Sequence, residues 1–115
     1  MDTQSLVIVI VAAVAFAALW WLKRPDISAI RARQLVADGA RLVDVRSPGE
    51  FAATHLDGAR NIPVSEIGRR ARELGDKAKP VIVYCASGTR SAMAKRTLKG
   101  AGFAEVYNLG SMHNW

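Results

Sequence analysis

An α/β domain with a central parallel β-sheet flanked by helices, preceded by one transmembrane helix, is the architecture this sequence predicts. Three observations lead to it. Residues 6–22, LVIVIVAAVAFAALWWL, form a run of 17 residues without a charge. Beyond them, short apolar runs at 41–45, 80–85 and 105–109 read as strands. Segments with helical spacing separate these runs, and strands alternating with helices make a parallel sheet covered on both faces.

The first run is read as an uncleaved anchor. At about 1.5 Å per residue, its 17 residues span roughly 26 Å, and Ser5, Trp20 and Trp21 extend it into the interfaces of a hydrocarbon core about 30 Å thick. A cleaved signal peptide is the rival reading, but such peptides want a positive n-region, whereas MDTQS carries Asp2 as its only charged side chain. A buried core helix would need more protein around it than 115 residues supply. Residues 1–24 are therefore assigned to the anchor and 25–115 to the folded domain. Lys23, Arg24, Arg31, Arg33, Arg41 and Arg46 outnumber Asp26, Asp38 and Asp44 just beyond the apolar run. Basic residues near a span stay cytoplasmic, so the N-terminus is expected outside and the domain inside, at the inner or cell membrane. The net charge of +6 suits a domain held near anionic headgroups, and no interleaving of basic and aromatic residues points to nucleic acid.

Residues 25–40, PDISAIRARQLVADGA, predict a helix capped by Asp26 or Ser28, with Ile30, Leu35 and Val36 as its apolar stripe and Gly39 at its end. RLVDV at 41–45 is a short strand interrupted by Asp44. The stretch 46–63, RSPGEFAATHLDGARNIP, is turn-rich, with one helical turn near 48–53. SEIGRRARELGD at 65–76 reads as a helix with Ile67, Ala71 and Leu74 facing inward. PVIVYC at 80–85 is continuously apolar, so both its faces should be buried. SAMAKRTLKGAG at 91–102 is a helix with Ala94, Leu98 and Ala101 on one side, and EVYNL is the last strand.

Cys85 is the only cysteine, which excludes an internal disulfide, a multi-cysteine zinc site and a Cys-x-x-Cys pair. His55 and His113 do not stand at metal-ligand spacing, and no metal or organic cofactor is implied. Cys85 closes a strand whose carboxyl end faces the crevice where ligands bind in parallel α/β sheets. Ala86, Ser87, Gly88 and Thr89 are small, and Gly88 can take a positive φ, so successive amides can converge on one centre. Those amides and the following helix N-terminus favour thiolate over thiol, which makes Cys85 a nucleophile. A side chain at position 88 is expected to crowd the sulfur. Arg90 offers a planar fork to an oxyanion.

LVDVRSPGEFAATHLDGARNIP, VIVYCASGTRSAMA and VYNLGSMHNW together resemble, in order and spacing, a rhodanese-like domain, over nearly all of residues 27–115. The resemblance implies a sulfurtransferase whose cysteine, here Cys85, carries sulfane sulfur as a persulfide. The amides of Ala86, Ser87, Gly88, Thr89 and Arg90 would cradle the outer sulfur. Four residues separate Cys85 from Arg90, where similar cysteine phosphatases have five and a wider cradle. Asp44 and Arg46 are implied to support the site by hydrogen bonds and an ion pair, with Glu50 as a further partner, and His55 to be a satisfied turn residue. The sequence departs from the family at HLDGA, and at Ser111, where a second glycine is usual. The partners implied are a thiosulfate-like donor and a thiol, acceptor protein or cyanide as acceptor. The alternative is a weakly catalytic or non-catalytic binding or sensing module tethered to the membrane.

Overall fold

The computed structural model describes residues 2–115. Helix α1 (Thr3–Lys23) is capped by Asp2, whose side chain accepts from the Ser5 amide at 2.7 Å, and none of its residues is buried. It is long and apolar enough to cross a membrane, with a mean hydropathy of 2.6. Four parallel strands follow, β1 (Arg41–Asp44), β2 (Arg60–Asn61), β3 (Val81–Cys85) and β4 (Val106–Ser111), in the order β2-β1-β3-β4. Between them lie α2 (Ala29–Ala37, before β1), α3 (Pro48–Ala53), α4 (Ile67–Arg70) and α5 (Thr89–Gly100).

Alternation along the strands divides the core into two layers, because successive side chains point to opposite faces. Val43, Val45, Val81, Val83 and Cys85 face α4 and α5, meeting Ile67, Ala94 and Leu98. Leu42, Ile82, Tyr84 and Leu109 face α2 and the C-terminal Trp115, meeting Ala32 and Leu35. Every residue of β3 is buried, as its uninterrupted apolar sequence predicts for the strand between β1 and β4.

Four local expectations are corrected. Strand β2 lies within the stretch read as turns; at two residues it is too short for any periodicity. The segment 65–76 is not one helix: a 3₁₀ turn (Val64–Glu66), α4 and a second 3₁₀ turn (Ala71–Leu74) follow one another, yet Ile67, Ala71 and Leu74 all face the core. In α2, Ser28 rather than Asp26 is the cap, and Ala32 with Leu35 forms the buried face, while Ile30 is 73% exposed. Asp26 is drawn away to β4, where it accepts from the Asn108 amide at 2.7 Å. Finally, α5 begins at Thr89, so Thr89 and Arg90 belong to the helix and not to the loop before it.

Candidate active site

The carboxyl edge of the sheet gathers three strand ends: Cys85 from β3, Asp44 to Arg46 from β1, and Gly110 and Ser111 from β4. Cys85 is buried, and its Sγ accepts from the Gly88 amide at 2.9 Å and lies 3.3 Å from Ser91 Oγ. Gly88 is the N-cap of α5 with φ 98°, ψ −11° and no side-chain cap of its own. The sulfur thus accepts from the N-cap amide, one of the donors that a helix start leaves unpaired. Burial pushes the Cys85 thiol up, but the Ser91 hydroxyl and the amides of Ser91, Gly88 and Ser87 outweigh it, leaving the thiol more acidic than usual.

Ser91 is the residue that reasoning from the sequence missed. It is fully buried at the third position of α5, and helical side chains lean toward the N-terminus, which brings its hydroxyl back to the sulfur. The readable signal was a serine one turn inside a helix, with a cysteine six residues before it. The expectation that a side chain at 88 would crowd the sulfur is also corrected. A Cβ on Gly88 would instead overlap the backbone carbonyl of Lys23, the last residue of α1, and stand 3.4 Å from Gly110 Cα. The end of the apolar helix therefore packs directly on the cysteine loop.

Arg90 does not present an empty fork. Its Nη1 and Nη2 donate to the two carboxylate oxygens of Glu50 at 2.7 and 3.0 Å. The Arg90 guanidinium and the Ser47 amide hold the Glu50 carboxyl down at about 2, so the pair stays charged at neutral pH. Glu50 is positioned by a capping box: Ser47 Oγ accepts from the Glu50 amide, and Glu50 Oε1 accepts from the Ser47 amide at 3.1 Å.

Asp44 and Arg46 pair with each other and not with Glu50. Arg46 Nε and Nη2 donate to Asp44 at 3.0 and 2.7 Å, the Arg46 amide donates to the same carboxylate, and Arg46 Nη2 reaches the Thr54 carbonyl at 2.6 Å. Both side chains are buried. Asn61 Nδ2 donates to the carbonyls of Asp44 and Arg46, tying β2 to the same corner. His55 stacks on Phe51 with ring centroids 3.7 Å apart, and its Nδ1 contacts the Phe51 carbonyl at 2.7 Å, so it is held within its own turn. Beside it, Tyr84 Oη accepts from the Leu56 amide at 3.1 Å; burial pushes the phenol up to about 12, and it remains neutral. Ala86, Ser87 and Thr89 form the exposed rim of the loop.

Residues 28–115 match the family model described as Rhodanese-like domain. This chain belongs to the rhodanese-like domain family. It is 46% identical over 77 residues to "Uncharacterized protein YqhL" of Bacillus subtilis, covering 66% of this chain and 60% of that protein. It is 37% identical over 90 residues to "Thiosulfate sulfurtransferase GlpE" of Ectopseudomonas mendocina, covering 77% of this chain and 82% of the relative. Among solved structures, the human single-domain sulfurtransferase TSTD1 superposes with a TM-score of 0.70 at 31% identity, over 79% of this chain and 94% of the human one. The chain thus spans less than two thirds of the length of the Bacillus relative. The segment matched to the rhodanese-like domain contains the whole sheet and the Cys85 loop, and α1 lies outside it.

Proposed function

We propose that this chain is a membrane-anchored sulfurtransferase in which residues 1–24 are the anchor and residues 25–115 the catalytic domain. The Cys85 thiolate attacks the sulfane sulfur of a donor. A bond forms between Sγ and that sulfur, the donor's S–S bond breaks, and with thiosulfate its electron pair leaves on sulfite. An acceptor thiolate, of a small molecule or a partner protein, or cyanide then attacks the outer sulfur and returns Cys85 to the thiolate. Cys85 is the only cysteine, so the acceptor comes from outside the chain. The observation that carries this reading is the Gly88 amide donating to Sγ at 2.9 Å beside the Ser91 hydroxyl. The names of the relatives, a thiosulfate sulfurtransferase and a single-domain sulfurtransferase, support it. In the persulfide state the amides of Ala86, Ser87, Gly88, Thr89 and Arg90 hold the outer sulfur, while the Asp44–Arg46 pair fixes the neighbouring corner.

The same reading places the domain on the cytoplasmic side of the inner or cell membrane. Lys23 and Arg24 stand at the end of α1, and retention of basic residues favours that side. A lone thiolate and its persulfide also last longer where thiols are kept reduced. The test uses the full chain in detergent micelles incubated with thiosulfate or a small persulfide, followed by intact-mass measurement. The wild-type protein gains the mass of one sulfur atom, dithiothreitol or cyanide removes it, and Cys85→Ser gains nothing. A folded sample that takes sulfur from no donor would leave the binding or sensing module as the better account.

The Glu50–Arg90 pair bears on the donor. With both guanidinium nitrogens on Glu50, a sulfonate entering the site meets a neutralised arginine. Glu50→Gln keeps the hydrogen bond to the Ser47 amide but releases the charge of Arg90. Its kcat/KM with thiosulfate should rise roughly tenfold, the worth of one recovered hydrogen bond to a charged group. With an uncharged alkyl persulfide the change should be small. Equal effects on both donors would show that Arg90 does not read donor charge.

A further inference from the structure

We infer that the crevice between the end of α1 and the first turns of α5 seats the headgroup of one anionic phospholipid, an inference that rests on the reading of α1 as a membrane anchor. Thr89, Ala92, Met93 and Arg96 stand at i, i+3, i+4 and i+7 of α5, one continuous helix face. That face lines a cavity of about 370 Å³ together with Leu19, Leu22 and Lys23 of α1. A second hollow of about 280 Å³ shares Leu22, Ala92 and Arg96 with it and adds Trp21 and Arg24. Apolar surface is left open here, for Met93 is 57% and Leu22 55% exposed.

The charges around this crevice do not cancel. Asp26, its acidic lining residue, is already paired with Lys95. Arg24 lies over the Trp21 ring at 3.4 Å from the centroid, the pairing expected of an indole at the membrane interface. Arg96 and Lys23 make no side-chain hydrogen bond or ion pair among the described residues. A pocket with an aliphatic floor and a rim of Lys23, Arg24 and Arg96 is complementary to an amphiphile carrying negative charge. Lipid is the source because the crevice opens where the apolar run of α1 ends, at headgroup depth in the anchored reading. The ligand would sit beside Thr89, one residue after the Gly88 that packs on the Lys23 carbonyl. Lipid binding would therefore brace the junction on which the cysteine loop rests.

The test takes the full chain in vesicles of equimolar phosphatidylcholine and phosphatidylglycerol. After gentle extraction, native mass spectrometry reads which lipid stays bound. One phosphatidylglycerol should be retained in preference to phosphatidylcholine, and Arg96→Glu should cut that retention about tenfold, with Arg96→Gln between the two. Soluble glycerol phosphate should not displace the lipid. Equal retention of the two lipids, retention unchanged in Arg96→Glu, or displacement by glycerol phosphate would each overturn the inference. An alkaline carbonate wash of the same vesicles separates the two levels. Release of the protein removes the anchor and the lipid site together, whereas a protein that stays in the membrane without lipid preference removes the lipid site alone.

Discussion

Gly88→Val is expected to lose sulfur transfer by about a hundredfold while the sheet remains folded. Two independent penalties meet at this position. The backbone stands at φ 98°, where a β-branched residue is strained, at roughly 1–3 kcal/mol. The new side chain also meets the Lys23 carbonyl, which is backbone at the end of a helix and cannot swing aside as a side chain would. The loop must open, and the opening withdraws the Gly88 amide from Sγ and the Gly88 carbonyl from Asn108 Nδ2, now 3.3 Å away. A hydrogen bond to a charged group is worth about 1.5–3 kcal/mol, so withdrawing this amide lowers the share of Cys85 present as thiolate, and the rate with it, by about 10–150-fold. Rates of persulfide formation on the full chain, with circular dichroism to verify the fold, check this outcome. Wild-type kinetics in the variant would mean that the amide at 88 does not serve the sulfur.

Asp44→Ala should be the most destabilising single change around the site. Arg46 is only 5% exposed, and Asp44 takes most of the hydrogen bonds of its guanidinium, leaving the Thr54 carbonyl as that group's one other acceptor among the described residues. Removing one member of a buried ion pair leaves the other charged and unsolvated, at a cost of about 3–5 kcal/mol. For a domain of this size each kcal/mol moves the melting temperature by roughly 4–8 °C, so a fall of about 12 °C or more is expected. The double variant Asp44→Ala/Arg46→Met should recover a good part of the loss, because it removes the stranded charge. Thermal unfolding of the three proteins decides the point. A double variant no more stable than the single one would show that packing, and not the unpaired guanidinium, sets the cost.

Much of this molecule was legible before any coordinates, wherever the deciding forces act within a few residues. The uncharged run of α1, the fully buried β3 and the positive φ of Gly88 follow from hydropathy, period and the lack of a Cβ, and all three are present. The inward set Ile67, Ala71 and Leu74 was correct even though the helix expected to carry it is broken by 3₁₀ turns, since burial selects side chains before it selects hydrogen-bond pattern. Ile30 failed for the complementary reason. An apolar residue on a short helix is buried only if the sheet lies under its face, and here the sheet lies under Ala32 and Leu35.

What the sequence by itself determined is the chemistry of one position: a single thiol at a strand end, followed by small residues whose backbone can turn toward it. Local sterics and the unpaired amides of a helix start are enough for that. The charge state of its surroundings was decided by tertiary structure alone. Glu50 lies forty residues before Arg90 and only four after Arg46, yet Arg90 is the guanidinium it meets. Which carboxylate meets which guanidinium depends on how α3 and α5 come together over the carboxyl edge of the sheet. The contact of Lys23 with Gly88 is of the same kind. Between groups far apart in the chain, Coulombic and steric terms depend on distances in space, and those exist only once the sheet has assembled.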